Sequence, residues 1–176
     1  MIKGEKVYLS SVEKDDLEQL RNWRNNPEFR KHFREYRELN MKQQETWFEE
    51  KVLKDPTTLM FAIRDIKSNK LLGCCGFVYI NWVHKHADLS LYIGWEDAYI
   101  DEDGYAQESC ELLVAYGFNE LCLNKVWTEI YEFDEKKEQL YKNFGFQQDG
   151  FLRENYWYAG KWWNSRILSV LSKDFT

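Results

Sequence analysis

With 176 residues, the chain is long enough for one well-buried core and short for two domains, so a single unit spanning residues 1–176 is expected. An apolar fraction of 44%, with 8 Trp, 11 Tyr and 11 Phe, excludes intrinsic disorder despite 31% charged residues. A formal net charge of −6 without a dense basic run argues against nucleic acid or an anionic membrane as partner, and fits a cationic or amine-bearing substrate better. Residues 1–6 hold no apolar stretch of signal-peptide length, and nowhere do about 18 apolar residues run together, so a soluble cytoplasmic protein is expected. Cys74, Cys75, Cys110 and Cys122 show neither CxxC pairing nor Cys/His ligand spacing, which points to reduced thiols and no metal.

Residues 6–10 alternate Val7 and Leu9 with polar neighbours, a short strand. Residues 13–24 carry Leu17, Leu20 and Trp23, a helix behind a Ser11 cap. A second helical piece starts at Pro27, which suits a first turn, and 40–53 is a third, with Trp47, Phe48, Val52 and Leu53. From Leu59 the pattern changes: apolar β-formers fill 59–66 and 71–80 around a Lys67-Ser68-Asn69-Lys70 turn, a hairpin. Residues 87–94 add a strand with Leu89, Leu91 and Ile93 on one face. Cys110, Leu113, Val114, Gly117 and Leu121 form one stripe of a helix over 105–121. A strand over 125–132 leads to a short helix over 134–143, capped by Asp134 and stopped at Gly145. Strands over 150–158 and 166–172 close the chain, meeting at Ala159-Gly160-Lys161.

The order β, two to three helices, β, β, β, α, β, α, β, β alternates strand and helix only in its middle, unlike a doubly wound α/β protein. Gly104-Tyr105-Ala106 is a small-residue turn feeding a helix N-terminus: Gly104 can take positive φ, Ala106 lets backbone approach a ligand, and the first-turn N–H groups can bind an anion. Downstream, Leu140-Tyr141-Lys142-Asn143-Phe144-Gly145-Phe146 sets a tyrosine on the second short helix. Together with the element order, this pair resembles the GNAT superfamily of N-acetyltransferases over nearly the whole chain. The resemblance implies an α/β (α+β) mixed sheet of about seven mostly antiparallel strands with four helices and splayed central strands. Within the superfamily, the C-terminal half looks like the branch of ribosomal-protein, spermidine and amino-sugar N-acetyltransferases. The stretch Ile80-Asn81-Trp82-Val83-His84-Lys85-His86-Ala87-Asp88 is similar to spermidine acetyltransferases, whereas Arg21-Asn22-Trp23-Arg24-Asn25 with Trp47-Phe48 looks like the front end of nucleotide-linked amino-sugar acetyltransferases.

The family's loop pattern of Gln or Arg, two residues, Gly, one residue, Gly or Ala falls on Asp101, Gly104 and Ala106, with Asp in place of the first anchor. The resemblance implies that Asp103, Gly104, Tyr105 and Ala106 offer main-chain N–H groups to the pyrophosphate of acetyl-CoA. It also implies that the strand edge at Leu91, Tyr92 and Ile93 pairs with the pantetheine arm. Asp134 and Lys137 stand where the family has Asn and a small residue beside the cofactor, and the connection from Ile93 to Gly104 is slightly longer than in the family. An exposed helix N-terminus stabilises an anion by about 0.3 to 1 kcal/mol. One carboxylate of Asp101-Glu102-Asp103 turned inward, about 6 Å from a phosphate, costs about 3 kcal/mol at an effective dielectric near 20.

Acetyl transfer to an amine needs a neutral nitrogen, a polarised thioester carbonyl and a proton for the departing thiolate. A lysine-like amine is only about one part in 10³ neutral at pH 7, a penalty of about 4 to 5 kcal/mol, so a base or a water relay helps. By the same resemblance, Tyr141 matches the residue that can protonate the thiolate, and Asp88 stands where many relatives carry a Glu, with His84 and His86 upstream. Trp23, Arg24 and Trp47 lie on early helices that overhang the acceptor pocket in this fold, where aromatics stack on an acceptor and Arg24 holds a phosphate or carboxylate. Trp157, Trp162 and Trp163 around the last hairpin either offer a homodimer surface or pack within the domain. The expected protein is thus an acetyl-CoA-dependent N-acetyltransferase working by direct transfer, with Tyr141 as acid, Asp88 or a water as base, and Trp23, Arg24, Trp47 and His84 at the acceptor. That acceptor is a primary amine of a small metabolite, a polyamine or amino sugar, or a protein N-terminus. The alternative, motivated by Asp101, Glu102, Asp103 and Lys137, is a degenerate member of the fold that binds a different ligand or partner.

Overall fold

A computed structural model describes residues 1–175. Strands β1 (Ile2–Lys3) and β2 (Val7–Ser11) precede helices α1 (Leu17–Asn25), α2 (Pro27–Arg30) and α3 (Met41–Trp47). Then come β3 (Leu59–Asp65), β4 (Leu71–Asn81), β5 (His86–Ile93), α4 (Tyr105–Asn119), β6 (Lys125–Tyr131), α5 (Glu135–Asn143), β7 (Gln147–Tyr158) and β8 (Lys161–Leu171). They build one 8-stranded sheet in the order β1-β2-β3-β4-β5-β6-β8-β7. Every neighbouring pair is antiparallel except β5 and β6. Side chains such as Phe77, Leu91, Ile93, Leu113 and Leu168 are fully buried between sheet and helices, each worth about 1.5–3 kcal/mol of apolar burial. Cys74, Cys75 and Cys110 join this core, where burial pushes the Cys74 thiol up to about 12, while Cys122 is exposed. No helix among the described residues is long and apolar enough to cross a membrane.

The mixed sheet agrees with the expected fold class, with local corrections. β1 is an eighth strand, pairing Ile2 with Leu9 and Lys3 with Tyr8, and is too short to show a period. The first helix is not capped by Ser11: a 3-10 turn at Lys14–Asp16 leads into it, and Glu13 N–H donates to Asp16 Oδ2 at 2.9 Å. The run 40–53 breaks at Trp47 into a π turn, Phe48–Val52, closed by Leu53 N–H on Phe48 C=O. The last hairpin turns on two residues, Ala159 (φ 52°) and Gly160 (φ 78°), so β8 begins at Lys161, earlier than the apolar run at 166.

What positions the site is the join between β5 and β6. Their parallel ladder holds only at His86–Lys125, Ala87–Val126 and Asp88–Trp127, although β5 continues to Ile93 and β6 to Tyr131. Each strand stays paired on its outer edge, β5 with β4 and β6 with β8, so past Asp88 the sheet opens into a V. Thr128 Oγ1 donates to Leu89 C=O at 3.1 Å and closes the apex.

Candidate active site

Alternate residues of a strand send their main-chain groups to opposite edges. Gly94 N–H donates to Leu72 C=O at 2.8 Å, which sets the β4–β5 phase: Tyr92 and Ser90 face β4, while Leu89, Leu91 and Ile93 face the V. Tyr92 is therefore corrected as an edge group, because its main chain belongs to the β4 ladder. Of the three that face the V, Leu89 C=O carries Thr128 and Ile93 N–H donates to Tyr99 C=O at 2.8 Å, leaving Leu91 between them.

On one side of the V lies a cavity of about 500 Å³, whose lining includes Arg24, Arg34, Trp47, Asp88, Glu129 and Lys137. Asp88, 3% exposed, accepts from Arg34 Nη1 at 2.8 Å, and Arg34 Nη2 reaches Glu129 Oε2 at 3.2 Å. Burial, against the lowering effect of Arg34, pushes the Asp88 carboxyl up to about 6. Arg34 sits in the irregular stretch after α2, where no periodicity marks it in the sequence. Arg24 lies over the Phe33 ring at 5.0 Å, and neither Arg24 nor Lys137 forms an ion pair among the described residues.

Two expected acceptor residues lie elsewhere. Trp23 is buried, edge-on to Tyr92 at 6.4 Å and pressed onto Gly94, where a Cβ would meet its ring at 1.9 Å. It packs in the core because it lies on the same helix face as Leu20. His84 is exposed in the β4–β5 turn, outside the cavity, its N–H on Asn81 Oδ1 at 2.8 Å.

On the other side of the V lies α5. Asp134 caps it, accepting from Lys137 N–H at 3.2 Å, and Gly145 ends it at φ 78°. Lys137 and Tyr141, four apart, share one face. Lys137 reaches the cavity, where burial lowers its ammonium below the usual lysine range. Tyr141 is fully buried, its Oη without a hydrogen-bond partner, and burial pushes its phenol well above 10.

Between the V and α4 the chain fills its own trough. Tyr99, 6% exposed, donates its hydroxyl to Asp134 Oδ2 at 2.8 Å, stacks on His32 at 4.0 Å, and lies 5.2 Å from Lys137 Nζ. Burial alone would raise the Asp134 carboxyl, but His32, Lys137 and Tyr99 together hold it below its ordinary value. At the N-terminus of α4, Tyr105 N–H donates to Asp101 Oδ2 at 2.8 Å and Ala106 N–H to Asp101 Oδ1 at 2.7 Å. Two of the four donors expected to meet a pyrophosphate, Tyr105 and Ala106, are thus committed to an internal carboxylate. Glu102 and Asp103 are exposed, Asp103 gives its C=O to Lys6 Nζ at 2.7 Å, and Gly104 takes φ 90°. Among the described residues, no group of three or more His, Cys, Asp or Glu side chains is placed to hold a metal ion.

The acetyltransferase (GNAT) domain family matches residues 6–147. Spermidine N(1)-acetyltransferase of Vibrio cholerae is 23% identical over 169 residues, covering 96% of this chain and 95% of its own. The solved structure of the Vibrio cholerae spermidine N-acetyltransferase in complex with CoA and spermine is similar at a TM-score of 0.88, with 22% identity over 96% of this chain and 97% of that one. The dodecameric structure of that enzyme in an intermediate state reaches 0.80, again at 22% identity and covering 96% and 95%.

Proposed function

Because the chain belongs to the GNAT acetyltransferase family, we propose that it transfers an acetyl group from acetyl-CoA directly to a primary amine of a small molecule seated in the 500 Å³ cavity. The observation that carries this reading is the V itself, with a buried carboxylate, Asp88, at its apex and an orphaned phenol, Tyr141 Oη, on the helix beside it. The Tyr141 hydroxyl and the free Leu91 edge fit a thioester-bearing co-substrate, and Asp88 fits the amine. The Ile93, Tyr105 and Ala106 donors fit one only once Tyr99 and Asp101 release them.

Acetyl-CoA supplies the acetyl group as an activated thioester. Asp88 is ionised above pH about 6 and accepts the ammonium proton of the acceptor, directly or through water. The acceptor nitrogen takes the place that Arg34 holds between Asp88 and Glu129. Tyr141 remains protonated and holds its proton at Oη for the departing sulfur, while Trp47 covers the cavity. Release of CoA thiol, followed in the presence of primary amines, tests the reading. Spermidine and spermine come first, because the similar enzymes are spermidine acetyltransferases. No thiol above background with any amine at saturating acetyl-CoA would sink it.

A second reading of the acceptor rests on Arg24 and Lys137, two unpaired cations facing the cavity. They favour an amine that also carries an anionic group, such as a nucleotide-linked amino sugar. Arg24→Gln then raises KM for such an acceptor and leaves that for spermidine unchanged. Self-association is assigned to the β7–β8 hairpin, where Trp157 and Trp162 are each 56% exposed, and light scattering of wild type and Trp157→Ser checks it.

A further inference from the structure

We propose that residues 95–103 are an internal stand-in for the co-substrate: in the ligand-free protein they occupy the trough at two separate points, and they must leave before CoA can enter. This rests on the acetyl-CoA-dependent reading above. The first point is the open edge of β5, where Tyr99 C=O takes the Ile93 N–H that an amide of an extended ligand would otherwise take. The second is the N-terminus of α4, where the Asp101 carboxylate sits on Tyr105 and Ala106 N–H in the manner of a bound anion. A carbonyl on the strand edge and an anion on the helix terminus are the two polar features a ligand running from the V to α4 has to present. The segment presents both in that order.

The latch has further ties. Tyr99 hydroxyl holds Asp134, His32 stacks on its ring, and Lys6 Nζ holds Asp103 C=O. Lys6 is itself steadied by Glu108, whose carboxylate accepts from the N–H groups of Glu5, Lys6 and Val7 at 2.7–2.9 Å. Against these ties works the backbone. Glu96, Asp97 and Tyr99 are all left-handed, at φ 54°, 53° and 57°, a conformation costly for residues with a Cβ. A closed segment held by side-chain bonds and strained along its main chain is suited to two positions. Tyr141 Oη is likewise buried and without a hydrogen-bond partner in the closed state.

If closure competes with CoA, the apparent dissociation constant is the intrinsic one divided by the open fraction. Calorimetry with CoA is expected to show Asp101→Asn binding about tenfold or more tightly than wild type, with Tyr99→Phe shifted in the same direction. Stopped-flow binding gives a measurement on the wild type alone, which covers the case in which a variant fails to fold. The observed rate should level off with CoA concentration at the opening rate of the segment. In the ligand-free protein, amide exchange at Tyr105 and Ala106 should be slow and should quicken in Asp101→Asn. A rate linear in CoA, or unchanged or weaker CoA binding by Asp101→Asn alongside normal turnover, overturns the latch while leaving the acetyltransferase reading intact. Absence of CoA binding by all three proteins at millimolar concentration overturns both.

Discussion

The two sides of the V share one strand, β5, and are prepared in opposite ways. On the proposed acceptor side the chain leaves a cavity and lays one long cation, Arg34, 45% exposed, across the Asp88 and Glu129 carboxylates. On the proposed co-substrate side it fills the trough with a folded segment in which Tyr99 and Ile100 are buried, Tyr99 is bonded to Asp134, and Asp101 is bonded to the N-terminus of α4. An exposed guanidinium is displaced by rotating a side chain, on the nanosecond scale, whereas releasing residues 95–103 requires a concerted backbone change of microseconds or slower. In the proposed reaction, entry of the two substrates is therefore limited by different physics: side-chain exchange for the amine and segment opening for the thioester.

The sharpest probe of the co-substrate side is Tyr141→Phe. It removes a hydroxyl with no partner, so stability should hold while kcat falls by about 10² to 10⁴, the usual worth of a general acid. Unchanged kcat by thiol release would mean that the buried phenol is only core. On the acceptor side, Asp88→Asn should lower kcat/KM by about 10² or more. In wild type kcat/KM should climb about tenfold per pH unit below about 6 and then level, and the variant should lose that rise.

Asp88 also carries a stability signature of opposite sense. Its folded carboxyl is raised from 3.8 to about 6, so its contribution is full below about 3.8 and is lost as pH rises through about 6. The loss amounts to about 3 kcal/mol by pH 8. Urea unfolding of wild type minus Asp88→Asn, taken between pH 4 and 8, isolates this slope from other titrations. A smaller effect sharpens the contrast from the hinge end of the segment. Gly94→Ala drives a Cβ into the Trp23 ring and should cost about 1 to 3 kcal/mol in thermal unfolding. If it costs nothing, Trp23 yields and the segment's root is looser than its packing implies.

Local chemistry made much of this legible in the sequence. The Asp134 cap, the Gly145 stop, the positive φ at Gly104 and the element order follow from short-range rules that hold wherever the segment ends up. What escaped was long-range. Asp101 stands in the sequence as a departure from the family's first anchor, and whether its carboxylate faces water or the helix N–H groups is decided by how the whole connection folds back on β5. Tyr99 gave no signal, since a left-handed non-glycine is invisible to propensity. Arg34 lies in a stretch without period, and its two carboxylate partners are 54 and 95 residues away. Trp23 was placed at the acceptor by analogy, although its spacing from Leu20 already marked a buried face.

The Thr128 hydroxyl on Leu89 C=O acts as the stop of a seam. Were it replaced by Val, only the outer ladders to β4 and β8 and the twist of the strands would decide how far β5 and β6 separate. Because adjacent pairs are about 3.3 Å apart along a strand, moving the apex by one pair would change the depth of the opening by about that length. One buried hydroxyl therefore marks the depth of the slot in which the proposed base, Asp88, and the proposed acid, Tyr141, would act.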